Sequence, residues 1–147
     1  MKVVVDTNIV FSAILNTNGK IGDLLFNSDE LFTFYSCEYL QTELIRHKGK
    51  LLKAARKMTE AQLDTAMALV LGQIEFINEN LIANSTWLEA QNLVADIDIN
   101  DTEFVALTIQ LGATLWTGDK PLYSGLRDKG FIHVMNTDYL WEHTLGR

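Results

Sequence analysis

Short apolar runs that stop abruptly on polar turns, each followed by an amphipathic stretch, constrain this chain more than any other feature. Lys2–Val5 is β-branched and ends in Asp6-Thr7-Asn8, while Ala113–Thr117 is equally apolar and ends in Gly118-Asp119. Neither run alternates polar and apolar positions, so both suit strands covered on two faces rather than strands with one wet face. Leu31–Tyr35, Ile74–Ile77 and Phe131–Met135 read as further strands, each shorter or less uniformly apolar. Apolar strands separated by amphipathic helices predict an α/β domain, three layers deep, with a central, mostly parallel sheet of about five strands.

The helices announce themselves through their ends. Ile9–Leu15 and Lys20–Asn27 are helical by pattern, and Ser36 stands where it could cap a helix carrying Tyr39, Leu40, Leu44 and Ile45 to about His47. Thr59 and Gln62 form a capping box before a long pattern closed by Gly72, which suggests a hairpin with the preceding helix. Ser85 or Thr86 opens the next helix. Asn100 and Glu103 are spaced as a second capping box, for a helix running through Leu111 and closed by Gly112. Pro121–Asp128 and Tyr139–His143 complete the set.

At 147 residues, 48% of them hydrophobic, the chain is sized for a single domain over residues 1–147 with a real core. Its apolar runs fall far short of the roughly 18 to 20 residues a membrane span requires, and its start is too short an apolar run for a signal peptide. The single cysteine, Cys37, has no internal partner and reads as packed; the expected location is the cytoplasm, with no membrane partner. A net charge of −7 argues against a protein that coats nucleic acid through its backbone phosphates. Yet Arg46, Lys48, Lys50, Lys53, Arg56 and Lys57 are half of the twelve basic residues, so one local segment is basic. That segment reads either as a solvated helix face or as a contact for phosphates.

In a parallel sheet, ligands bind beyond the carboxyl ends of the strands. Asp6 and Asp119 leave that edge directly. Asp101, with Asp98 just before it, opens the helix that feeds the Asp119 strand, and Glu43 lies within reach from the helix after the second strand. Singly, each has an ordinary role: an Asx-turn, a helix cap, a dipole contact or an ion pair with a lysine. Jointly they are costly. Two carboxylates about 5 Å apart repel by about 3 kcal/mol at an effective dielectric of 20, so four converging acids want a cation between them. Oxygen ligands without His or Cys favour Mg²⁺ or Mn²⁺ over zinc. Such a site suits hydrolysis of a phosphodiester by an activated water, with no covalent nucleophile.

Val3-Val4-Val5-Asp6-Thr7-Asn8, Glu43 in Leu40-Gln41-Thr42-Glu43-Leu44, Asp101 in the stretch from Asp98 to Leu107, and Trp116-Thr117-Gly118-Asp119-Lys120 together resemble the PIN domain. The resemblance runs over essentially the whole chain, and it is the ordered set that is specific. It implies a Mg²⁺- or Mn²⁺-dependent nuclease, and small members of this kind are often VapC-like toxins that cut RNA, are silenced by a small antitoxin and form homodimers. By resemblance Asp6, Glu43, Asp101 and Asp119 are the acidic quartet, with Asp6, Asp101 and Asp119 on the metal and Glu43 orienting the water. Asn8 and Thr117 match positions that orient the acids, and Asp98 is an additional or alternate carboxylate. Lys48, Lys50 and Lys53 are placed to touch RNA phosphates. Trp87, Trp116 and Trp141 read as core, His47, His133 and His143 as surface or helix-end residues, and Tyr123 as a substrate contact.

Other readings stay open at this level. A haloacid-dehalogenase-like phosphatase would place Asp where Asn8 stands, and a response-regulator receiver would carry its key Asp after a middle strand; neither pattern fits. A PIN-fold binding module without chemistry, or a housekeeping RNA-processing nuclease without an antitoxin, remain the alternatives.

Overall fold

Strand β1 (Lys2–Val5) lies at the centre of the sheet, and its Val3, Val4 and Val5 are completely buried. Successive strand residues face opposite ways, so burial of all three means that both faces of the strand are covered. The computed structural model describes residues 1–146. Its sheet has five strands in the order β3-β2-β1-β4-β5, every neighbouring pair parallel, with β2 (Thr33–Cys37), β3 (Ile74–Ile77), β4 (Thr114–Trp116) and β5 (Val134–Met135).

The helices are α1 (Thr7–Leu15), α2 (Lys20–Asn27), α3 (Tyr39–Arg46), α4 (Lys48–Ala54), α5 (Glu60–Leu71), α6 (Asn84–Val94), α7 (Thr102–Leu111), α8 (Lys120–Asp128) and α9 (Thr137–Leu145). Helix α7 lies against β1, β2 and β4 and carries α6, while α1 packs with α2, α4 and α5. Trp116 is fully buried on β4, stacks obliquely on Phe34 and donates its indole N–H to Thr137 Oγ1 at 3.1 Å, so a core tryptophan also ties β4 to α9. Among the described residues no helix is long and apolar enough to cross a membrane.

Several ends form as the sequence dictates. In α5, Thr59 Oγ1 accepts the Gln62 amide and Gln62 Oε1 accepts the Thr59 amide, a reciprocal capping box. Gly112 closes α7 at φ +61°, a left-handed conformation that costs a side-chain-bearing residue about 1–2 kcal/mol. Cys37 is buried, as its surroundings require.

Other ends differ from the sequence reading. Strand β2 starts at Thr33 rather than Leu31, because the Leu31 and Phe32 amides both donate to Ser28 O and turn the chain first. Ser36 therefore stays inside the strand and donates to Val5 O at 2.9 Å instead of capping a helix. Strand β5 is reduced to Val134–Met135: the amides of Gly130 and Phe131 bond back to Arg127 O and Leu126 O, spending those residues on the end of α8. Helix α6 begins at Asn84, without a side-chain cap from Ser85 or Thr86. The middle of the basic segment, with Lys48, Lys50 and Lys53, is a helix of its own, α4, so α3 and α5 are not a simple hairpin. Lys48 at its start pairs with Glu60 at 3.1 Å and Asp64 at 2.7 Å, fastening α4 to α5.

The expected box between Asn100 and Glu103 is absent. Asp98 Oδ1 accepts the Asn100 amide at 3.0 Å, one turn upstream, and a 3-10 turn over Ile99–Asp101 leads into α7. Asp101 occupies the cap position of α7 without making a side-chain cap bond. Its carboxylate is thereby left free for other work.

Candidate active site

Parallel register places the first two site residues. Val5 on β1 pairs with Trp116 on β4, so the residues that follow, Asp6 and Thr117, leave the sheet side by side. Thr117 donates its hydroxyl to Asp6 Oδ2 at 2.5 Å, and the Ile9 amide donates to Asp6 Oδ1 at 3.0 Å, making Asp6 the N-cap of α1. Asp6 is only 4% exposed. Burial raises its pKa, the Thr117 and Ile9 donors pull the other way, and the charge of Asp119 adds to the rise.

Asp101 arrives from the other direction, at the start of α7. Its Oδ2 is buried with no hydrogen-bond donor among the described residues. Desolvation, followed by the charges of Asp98, Asp6 and Asp119, pushes its pKa up to about 7. Asp119 caps α8 by accepting the Leu122 amide at 3.1 Å, and its own amide donates to Thr117 Oγ1 at 3.1 Å. Thr117 thus joins the two strand-end acids through one oxygen. Glu43, on α3, accepts the Thr7 hydroxyl at 3.2 Å, a bond that directs its carboxylate toward the end of β1 rather than toward a lysine.

These residues surround a cleft of about 220 Å³ lined by Asp6, Asn8, Glu43, His47, Lys50 and Asp101, with Phe11 and Phe104 among its walls. Asp119 and Thr117 border an adjoining cavity of about 310 Å³. Asp98 is exposed beside the site, with one oxygen spent on its own turn. Of the three lysines singled out, Lys50 lines the cleft, whereas Lys48 is occupied by Glu60 and Asp64 and Lys53 lies on the last turn of α4 away from the lining.

Thr7 and His47 were not visible as site residues in the sequence. Thr7 lies inside the Asp-Thr-Asn motif and could have been found there. His47 follows Glu43 by one helical turn, a spacing that puts both on one helix face. A further acid, Glu103, has its pKa raised by burial and by Glu79 and Glu43, so negative charge extends beyond the quartet.

Among the described residues no three Asp, Glu, His or Cys side chains stand close enough to grip one common ion. The acids are nonetheless near enough for their charges to act on one another, Asp119 on Asp6 and Asp98, Asp6 and Asp119 on Asp101. A buried carboxylate oxygen without a donor, under the charges of neighbouring carboxylates, fits a hard cation, which would both ligate it and offset that charge.

The site is an acid-lined cleft at the carboxyl edge of a doubly covered parallel sheet, and comparison with known proteins says which family carries it. The PIN domain profile matches residues 4–138, and the chain belongs to the PIN domain family. The uncharacterized protein MJ1680 of Methanocaldococcus jannaschii is 27% identical over 140 residues, spanning 95% of this chain and 84% of that protein. A chain in the crystal structure of VapBC2 from Rickettsia felis bound to a DNA fragment from their promoter shares the fold with a TM-score of 0.67, at 19% identity, over 92% of this chain and 98% of that one.

Proposed function

We propose that this PIN domain protein is a Mg²⁺- or Mn²⁺-dependent endoribonuclease, the toxin of a type II toxin–antitoxin pair, acting on single-stranded RNA in the cytoplasm. The observation that carries the reading is the buried, donorless Oδ2 of Asp101 beside the charges of Asp6 and Asp119. Asp6, Asp101 and Asp119 would hold the ion. Both oxygens of Asp6 already accept a hydrogen bond, but an ionised carboxylate has about four lone-pair sites, so ligation and capping are compatible. When bound, the cation lowers the pKa of a water and offsets charge on the phosphate.

The remaining roles fall to the protein. Glu43, steered by the Thr7 hydroxyl, orients the attacking water and receives its proton. Thr117 donates to Asp6, which aims the carboxylate and opposes the rise in its pKa caused by burial. Asn8 lines the cleft beside them, and Asp98 adds negative charge behind Asp101. Lys50 is the member of the basic segment placed to meet a substrate phosphate. The VapBC2 likeness supports an antitoxin partner, and the homodimer is carried over from the family resemblance alone.

The test is cleavage of single-stranded RNA with Mn²⁺ against EDTA, comparing wild type with Asp6→Asn and Asp119→Asn. Cleavage that depends on the ion and is lost in both variants supports the reading; cutting that ignores the ion, or survives in both variants, defeats it. A short overlapping upstream reading frame encoding a DNA-binding protein would support the toxin assignment.

A further inference from the structure

Asp119 lies outside the lining of the acidic cleft but is tied to it through Thr117, whose oxygen accepts the Asp119 amide and whose hydroxyl donates to Asp6. Its charge acts on Asp6 and Asp101, and its backbone and side chain also wall the adjoining cavity of about 310 Å³, lined further by Lys120, Tyr123, Ser124 and Asn136. This cavity opens beyond the carboxyl ends of β4 and β5, because Thr117 and Asn136 are the residues that follow those strands. We infer that it holds the nucleotide next to the scissile phosphodiester, so that one RNA strand runs from Lys50 across the acids to Lys120. The inference rests on the ribonuclease reading and adds the path of the substrate.

Charge is the first argument. Lys20, Lys48 and Lys129 are all committed to carboxylates, whereas Lys120 takes part in none of the ion pairs among the described residues. Asp138, the other acid of the cavity, is paired with Lys20 at 3.2 Å, so Lys120 is the cation left to meet an incoming phosphate. Lys50 in the catalytic cleft is likewise outside those pairs. Two free lysines therefore bracket the acidic centre, one in each cavity. A strand of phosphates crossing a net-negative protein needs cations spaced in this way.

Hydrogen-bonding capacity is the second. The opening turns of α8 and α9 reach the cavity, but Asp119 and Asn136 already cap them, accepting the Leu122 and Tyr139 amides. What remains is side-chain chemistry. Asn136 keeps its NH₂ because its oxygen is the capping atom, Ser124 presents an exposed hydroxyl, and Thr137 accepts from Trp116 and retains its own proton to donate. Such groups suit ribose hydroxyls and the edge of an unpaired base.

Shape is the third. The Tyr123 ring is flanked by Tyr139, stacked at 6.5 Å, and by the Arg127 guanidinium at 5.5 Å, which makes it a fixed wall rather than a free stacking platform. The volume lies at the low end of small-ligand pockets, roughly 300–1,000 Å³, enough for one nucleotide and far too little for a duplex.

Binding of a labelled single-stranded octanucleotide RNA in EDTA, followed by anisotropy across a salt series, tests the path. Each phosphate contact to a single strand contributes about −0.7 to the slope of log K against log[salt]. Lys120→Ala is expected to make that slope shallower by about 0.7, and Lys120→Arg to restore it; a wholly structural lysine would not move it. An unchanged slope in Lys120→Ala, or no recovery in Lys120→Arg, overturns the path. Wild-type cleavage of the same RNA with Mn²⁺ separates the failures: if it cuts while the slope is unchanged, only the second subsite falls. If wild type neither binds nor cuts, the ribonuclease reading falls and takes the subsite with it.

Discussion

Thr117 and Asp6, 111 residues apart in sequence, share a 2.5 Å hydrogen bond in the buried floor of the site. Parallel pairing of Val5 with Trp116 sets them side by side, so the core register and the site geometry are one arrangement. Thr117→Val keeps the shape and removes the donor, leaving one oxygen of a buried carboxylate short of a partner. A loss of about 1–3 kcal/mol is expected. Because the lost bond favours ionised Asp6, the loss should grow with rising pH and be larger at an alkaline pH than at an acid one. Urea unfolding at the two pH values checks the sign, and Thr117→Ser should recover most of the loss.

Lys48 and Lys50 lie two residues apart on α4 and do different work. Lys48 spans to Glu60 and Asp64 on α5, while Lys50 lines the cleft. Lys48→Ala is expected to lower the thermal midpoint slightly, with a deficit that shrinks in high salt, as for any solvent-screened pair. Lys50→Ala is expected to leave the midpoint alone and to weaken RNA binding at low salt. Equal effects of the two substitutions on both measurements would contradict this division.

Two helical glycines offer a contrast in stability. A Cβ on Gly22 would lie 2.2 Å from Thr17 O, a backbone atom that has no easy way to retreat, whereas one on Gly49 meets nothing within 4 Å. Gly22→Ala should therefore cost about 1–3 kcal/mol through overpacking. Gly49→Ala should gain about 0.5–1 kcal/mol from helix propensity. Denaturant midpoints of the two variants are expected to move in opposite directions.

Where local chemistry had no competitor, the sequence was enough. Val3-Val4-Val5, the Thr59–Gln62 box and Gly112 each sit as their residue types require, and the parallel five-stranded sheet follows from their order. Local rules failed where two polar groups wanted one partner. Ser36 could cap a helix or bind Val5 O, and tertiary pairing of β1 with β2 decided for the latter. Glu103 and Asp98 could each accept the Asn100 amide, and Asp98 holds it; a 3-10 turn follows, and Asp101 stands at the cap position of α7 without a side-chain cap bond. That Asp6, Asp101 and Asp119 fall at one edge of the sheet was legible because strand ends and helix starts share that edge. Thr7 was within reach of the Asp-Thr-Asn motif, but its bond to Glu43 depends on side-chain direction, and the place of His47 depends on how α3 meets α4.

Asp101 gives the cation-free protein a distinctive response to pH. Its folded-state pKa is pushed up to about 7 from an ordinary value of 3.8, so the folded state binds this proton more tightly than the unfolded chain does. The stabilisation from that proton is complete below about pH 3.8 and is lost progressively as pH rises toward 7. Thermal midpoints measured in EDTA should carry this decline, and Asp101→Asn, which has no proton to lose, should show a flatter profile and exceed wild type above pH 7. A divalent cation that binds the ionised acids must displace the same proton, so Mn²⁺ should raise the wild-type midpoint more at pH 7.5 than at pH 5.5. At a hundred times its dissociation constant the ion would add about 2.7 kcal/mol to the folded state. Asp101→Asn should respond more weakly at both pH values. If wild type and Asp101→Asn share one pH profile in EDTA and gain equally from Mn²⁺, Asp101 neither holds the raised proton nor helps to bind the ion.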